Sequence, residues 1–93
     1  MRRVGRSKLF MKNYAKKART MGEETLERLF VPVLAALAND QPLEPRYHDH
    51  ALIGNWKDHR DCHIRPDLVL IYRKPDADTL QLVRLGSHSE LGL

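Results

Sequence analysis

Ninety-three residues are enough for one domain and too few for two, so the whole chain, 1–93, is read as a single unit. A lone cysteine, Cys62, excludes a disulfide framework and a paired-cysteine zinc site and fits a reducing cytoplasm, while no apolar run approaches the ~20 residues that span a bilayer. The net charge of +4 is local: residues 1–22 carry eight Lys/Arg and no acid, residues 23–93 carry eight against twelve acids, and a polyanion such as RNA would meet the basic segment first.

Met1 to Gly5 reads as an optional edge strand. Ser7 then caps a predicted helix from Lys8 to Arg19, with Phe10, Tyr14, Ala18 and Met21 recurring at helical spacing. Lys8, Lys12, Lys16 and Arg19 fall on the opposite side, facing solvent or a partner that brings negative charge. A second helix is predicted over Glu23 to Ala38, since Leu26, Leu29, Phe30, Val33, Leu34 and Leu37 keep the same period and Glu23, Glu24 and Glu27 suit its N-terminal dipole. Pro32 removes a backbone donor inside that pattern, which predicts either a kink between Arg28 and Leu34 or a helix restarting at Pro32.

Beyond the connection at Asn39-Asp40-Gln41-Pro42, the signals become those of strands. Strands are predicted over Asn55 to Ile64, Leu68 to Arg73 and Thr79 to Leu85, with turns at Arg65-Pro66 and Pro75-Asp76-Ala77-Asp78. Leu68-Val69-Leu70-Ile71-Tyr72 is apolar without alternation, the mark of a central strand covered on both faces. The expected class is α+β, with two N-terminal helices on one face of a small antiparallel sheet of three to four strands. The other face is expected to be open and polar, because Lys57, His59, Asp61 and His63 alternate with Trp56, Arg60, Cys62 and Ile64.

All five histidines lie beyond residue 47, and four of them fall between His48 and His63. Near neutral pH the imidazole both takes and gives protons, so such a crowd suggests acid–base chemistry. His50-Ala51-Leu52-Ile53-Gly54-Asn55-Trp56, then Arg60-Asp61-Cys62-His63-Ile64-Arg65-Pro66-Asp67, then Leu70-Ile71-Tyr72 and Arg84-Leu85-Gly86-Ser87-His88 together resemble the YafQ branch of the RelE toxins. Over residues 48–88 the resemblance is close; the helical half matches in pattern only.

The resemblance implies a RelE-like, microbial-RNase-like fold and the toxin of a type II toxin–antitoxin pair, a ribosome-dependent messenger-RNA endoribonuclease held inactive in a hetero-oligomer with its antitoxin. It places His50, His63, Asp67 and His88 on catalytic positions and Arg84 near the scissile phosphate. In RNA the ribose 2′-hydroxyl is the nucleophile, so a protein needs a base, an acid for the departing 5′-oxygen, and positive charge on the phosphate. His50 or Asp67 would serve as base, His88 as acid, Arg84 as phosphate ligand and His63 as an orienting group. The products would be a 2′,3′-cyclic phosphate and a 5′-hydroxyl, with no metal or other cofactor required. Lys8, Lys12, Lys16, Arg19, Lys57 and Arg60 are the expected RNA or ribosome contacts. His48 and His59 match no catalytic position and are read as solvent-exposed spacers.

Two rival readings remain. His48-Asp49-His50 and Cys62-His63 offer nitrogen and sulfur to zinc or nickel, as a metal-binding protein would. A non-catalytic toxin of the same fold, like the ParE relatives that inhibit gyrase by contact, would generally lack the histidine and aspartate set.

Overall fold

The computed structural model describes residues 1–93. Strand β1, Arg3–Arg6, leads into helix α1, Lys8–Met21, and helix α2, Glu23–Ala38, follows after one residue. Beyond a single 3₁₀ turn at Pro45–Tyr47 come β2, His50–Ala51, and a second turn at Gly54–Trp56. Then β3, Arg60–Arg65, β4, Leu68–Arg73, β5, Thr79–Gly86, and a last short helix α3, His88–Leu91, complete the chain.

Ser7 starts α1 as its spacing implies. Its hydroxyl accepts from the Phe10 amide at 2.9 Å and donates to the Val83 carbonyl at 2.6 Å, so the cap also fastens the helix to β5. The helical hairpin turns at Gly22 alone, whose φ of +90° is a conformation that side-chain-bearing residues resist. Helix α2 runs unbroken through Pro32 and does not restart there. Phe30 and Val33 are buried beside the proline on one continuous face, and this packing outweighs a missing donor that costs ~3 kcal/mol in an isolated helix.

The sheet has five strands in the order β1-β5-β4-β3-β2. Two features correct the expectation of three or four antiparallel strands. Residues 3–6 form a true edge strand, and it pairs parallel to β5, Val4 opposite Leu80; β2, only two residues long, adds the other edge. A further correction concerns β3, which begins at Arg60 and not near Asn55. Gly54 at φ +66° and Asp58 at φ +67° fold residues 54–58 into tight turns, so Lys57 lies on a turn and not on a strand.

The helices cover one face of the sheet. Phe10, Leu26, Phe30, Val33 and Leu37 pack there on Cys62, Ile64, Leu70, Tyr72, Leu80, Leu82 and Leu85. Strand β4 is buried on both faces, as its unbroken apolar run predicts. The opposite face is not simply open and polar. Val69, Ile71 and Leu91 form a second small cluster against Leu52, Trp56 and Val83, and the histidines gather at its border. At the far end Asp40 accepts from Arg2 and Lys74, tying the end of α2 to the sheet, and the two cations hold its carboxyl at about 2.

Candidate active site

Strand register decides which side chains meet. His63 pairs with Val69, Asp61 with both Ile71 and His50, and Val69 with Gly86. Directly paired residues share a face, so His50, Asp61 and His63 project beside the second cluster, away from the helices. Helix α3 begins just past Gly86 and brings His88 to the same place.

His63 is the centre. Its ring lies 4.9 Å from that of His88, 5.3 Å from His48 and 6.2 Å from His50, centroid to centroid. The structure therefore brings together His50, His63 and His88, as the sequence led us to expect, and adds His48, which was read as a spacer. The backbone of His48 adopts a left-handed conformation, φ 48°, after the Pro45–Tyr47 turn, and its ring packs on His63. His59 stays apart, its ring edge-on to Trp56 at 5.3 Å.

Beneath the rings lies Asp61, the one buried charged residue, 2 % exposed. Its Oδ1 is 3.1 Å from His50 Nδ1 and 3.9 Å from His63 Nε2, yet accepts no hydrogen bond of good geometry. Burial raises the Asp61 pKa, and the nearby His50, His63 and His88 pull it back down. His63 is shifted down, first by burial and then by the neighbouring imidazoles, with Asp61 opposing; its neutral form is favoured near neutral pH. Sequence reasoning missed Asp61 as a site residue, although one signal was available: on a strand, a residue two before His63 shares its face.

The surroundings of His50 fix its tautomer. Nδ1 faces two acceptors, the His48 carbonyl at 2.7 Å and Asp61 Oδ1 at 3.1 Å, so in the neutral ring the hydrogen belongs on Nδ1 and the lone pair on Nε2. Nε2, on the other side of the ring, faces away from the carboxylate.

The remaining expected residues are more dispersed. Arg84 pairs with Ile71 in the lateral row that also holds Asp61 and His50, three strand spacings or roughly 14 Å from His50. Its Nε donates to Asn13 Oδ1 at 2.9 Å on α1. Asp67 is exposed in the turn between β3 and β4, near Lys17 and Arg65, and pairs with no histidine, the only His–carboxylate pairs being those to Asp61. Arg60 projects to the helix-side face and pairs with Asp49 at 3.3 Å, and Asp49 accepts from the Tyr72 hydroxyl at 2.6 Å. Lys8, Lys12, Lys16 and Arg19 are all exposed on α1, and Lys57 is exposed on its turn. Lys16 and Lys17 both reach Glu90 on α3, at 3.4 and 2.8 Å.

No three His, Cys, Asp or Glu donors converge closely enough to hold a metal ion. Cys62 is fully buried on the other face, and burial raises its pKa, so it offers no thiolate to the histidines. Chemically, the arrangement provides a half-buried neutral imidazole, flanking imidazoles able to give or take a proton, and a buried carboxylate to orient them.

Comparison with known proteins gives concordant results. The sequence pattern of one family, bacterial toxin of type II toxin-antitoxin system, YafQ, matches residues 2–92. A putative toxin YafQ from Haemophilus influenzae is 37 % identical over 94 residues, which cover 98 % of this chain and 92 % of that protein. The mRNA interferase toxin YafQ of Escherichia coli K12 is 45 % identical over 53 residues, 57 % of this chain and 56 % of its own. Among solved structures, a metal-bound toxin from Helicobacter pylori superposes with a TM-score of 0.87 at 44 % identity, covering 98 % of this chain and 99 % of that one. The E. coli DinJ-YafQ complex gives 0.81 at 32 % identity, with 98 % of each chain covered.

Proposed function

We propose the function of this chain from one premise: it belongs to the YafQ family, the bacterial toxins of type II toxin–antitoxin systems. On that premise it is an mRNA interferase, as its E. coli relative is named, and in this reading the messages it cleaves are those on the ribosome. Its partner is a cognate antitoxin, as in the solved DinJ-YafQ toxin–antitoxin complex.

The observation that carries the chemistry is the cluster of His48, His50, His63 and His88 over a buried carboxylate. In this reading His50 Nε2 takes the proton from the ribose 2′-hydroxyl as that oxygen bonds to phosphorus. His88, protonated, donates to the 5′-oxygen as its bond to phosphorus breaks. His63, neutral between them, hydrogen-bonds the phosphate or its neighbouring imidazoles. The His48 carbonyl holds His50 in the required tautomer, and the Asp61 charge beside the ring favours the imidazolium that forms, as a carboxylate does behind a catalytic histidine elsewhere. Arg84 and Asp67 contact the RNA from the rim, Arg84 at a phosphate. Each proton-transfer group contributes about 10²- to 10⁴-fold, and no metal takes part.

The experiment is primer extension on messages from cells expressing the protein. Cuts within translated frames, present with the wild type and absent with His88→Ala, are expected. Equal cutting by the two would refute the role of His88, and no cutting by the wild type would refute the activity.

A further inference from the structure

Beside the histidines runs a trough of about 660 Å³, bounded by α2, the Pro45–Tyr47 turn and the end of β3. Its lining includes His48 and His63, so it opens directly from the cluster. Three arginines line it as well: Arg28 from α2, Arg46 from the turn and Arg65 from the end of β3, against one acid, Glu44. Sequence periodicity gives no hint of this grouping, because the three lie on three different elements.

Arg46 is held in place. Its guanidinium carbon sits 4.8 Å above the centre of the Tyr47 ring, and its Nη2 donates to the Tyr47 hydroxyl at 2.9 Å. Tyr47 in turn packs on the main core, so the guanidinium rests on an anchored support. Glu44 makes only an exposed contact with it at 3.5 Å. Arg28 and Arg65 are exposed and have no acidic partner within ion-pair distance. A planar cation on an aromatic ring is a stacking surface for a nucleobase, and unpaired arginines are ligands for phosphate.

We propose that this trough is the subsite for the nucleotide adjoining the scissile bond, its base stacked on Arg46 and the flanking phosphates bound by Arg28 and Arg65. The trough is of a size that accepts small-molecule ligands, and the cluster fixes the scissile phosphate at its mouth. This assignment rests on the reading of the chain as an RNA-cleaving toxin. It places sequence preference in residues that take no part in proton transfer.

The test is binding of a fluorescent single-stranded 2′-O-methyl oligoribonucleotide, which cannot be cleaved because its nucleophile is blocked. Fluorescence anisotropy is measured over a range of salt, with circular dichroism to verify folding. Arg46→Ala is expected to weaken binding about tenfold, within the range of one lost stacking contact. Arg46→Lys is expected to weaken it nearly as much, since an ammonium has charge but no plane. Arg28→Ala and Arg65→Ala should each flatten the dependence of log K on log salt by about 0.7. Wild-type affinity in Arg46→Ala, full rescue by Arg46→Lys, unchanged salt slopes, or no binding by the wild type would each overturn the proposal. Message cleavage in cells separates the two levels: a wild type that cuts, with trough variants that bind like it, removes the subsite and leaves the activity standing.

Discussion

Asp61 is where folding and chemistry pull in opposite directions. A carboxylate 2 % exposed, with Oδ1 short of a good hydrogen bond, is costly to keep charged, which is why burial raises its pKa. Because the folded-state pKa lies above the unfolded one, the group favours the fold most at pH below the unfolded value, and that contribution is lost as pH rises through the folded value. Asp61→Asn, equal in volume and uncharged, should therefore melt at or above the wild-type temperature at pH 7 while cleavage falls by about 10²-fold. A lower melting temperature together with unchanged cleavage would make Asp61 a structural residue only. His63 has the opposite sign. Its folded pKa is lowered, so its contribution is present above the unfolded value of about 6.5 and is lost as pH falls through the folded one. Denaturant titrations between pH 7.5 and 5 should show a smaller decline in stability for His63→Gln than for the wild type; identical declines would contradict the shift. The resemblance already pointed to His50, His63 and His88 in the sequence. His48 and Asp61 did not stand out, because one depends on a left-handed backbone and the other on which face of β3 meets the helices.

Among the α-helices, α3 is the shortest and the most consequential. It has four residues, yet it carries His88, and its position is set by Glu90. Glu90 Oε1 accepts from the Ser87 amide and from Lys17 Nζ, both at 2.8 Å, while the Ser87 hydroxyl accepts from the Glu90 amide, a capping box joined to α1. Lys17 and the Ser87 N–H hold the Glu90 carboxyl down at about 2. Gly86 makes room for this, since a Cβ there would lie 3.1 Å from Glu90 Oε1. Gly86→Ala should make Glu90 give by a few tenths of an ångström, loosening its hold on the cap and shifting His88, and so lower cleavage about tenfold, since small misplacements of catalytic groups lose rate steeply. Glu90→Gln, which keeps the cap and loses the ion pair, should fall between the two in a cleavage assay. Wild-type rates in both variants would show that α3 holds His88 without help from Glu90. Sequence patterns reach elements like α1, α2 and β4, where long apolar periods meet clear caps. They do not reach α3 or β2, which are too short to show a period, nor the start of β3, where Gly54 and Asp58 break an alternation that otherwise reads through to Trp56.

In the molecule as a whole, the basic face of α1 and the acid–base chemistry occupy different parts. The exposed cations of α1 form a basic surface, and the acid–base cluster lies across the sheet on the border of the second apolar cluster. The sheet has more strands than the alternation implied because both edges are contributed by segments of two and four residues, and strand pairing, not sequence pattern, makes those segments strands. A basic surface apart from the site suits attraction to a large polyanion, and its effect is long-ranged and screened by salt. Reversing Lys8, Lys12, Lys16 and Arg19 to Glu should weaken ribosome association most at low salt and leave the melting temperature little changed. Equal affinity at every salt concentration would remove these residues from the binding surface.

The central claim is proton transfer between imidazoles at an RNA phosphate with the 2′-hydroxyl as nucleophile, and the most direct measurement is the chemistry of the cut ends. On messages cleaved by the purified protein with translating ribosomes, the account predicts 5′-hydroxyl ends that a kinase labels without prior dephosphorylation, and 2′,3′-cyclic phosphates on the upstream fragments. Ends bearing 5′-phosphate and 3′-hydroxyl would mean that water, and not the ribose, attacked the phosphorus, and would contradict it.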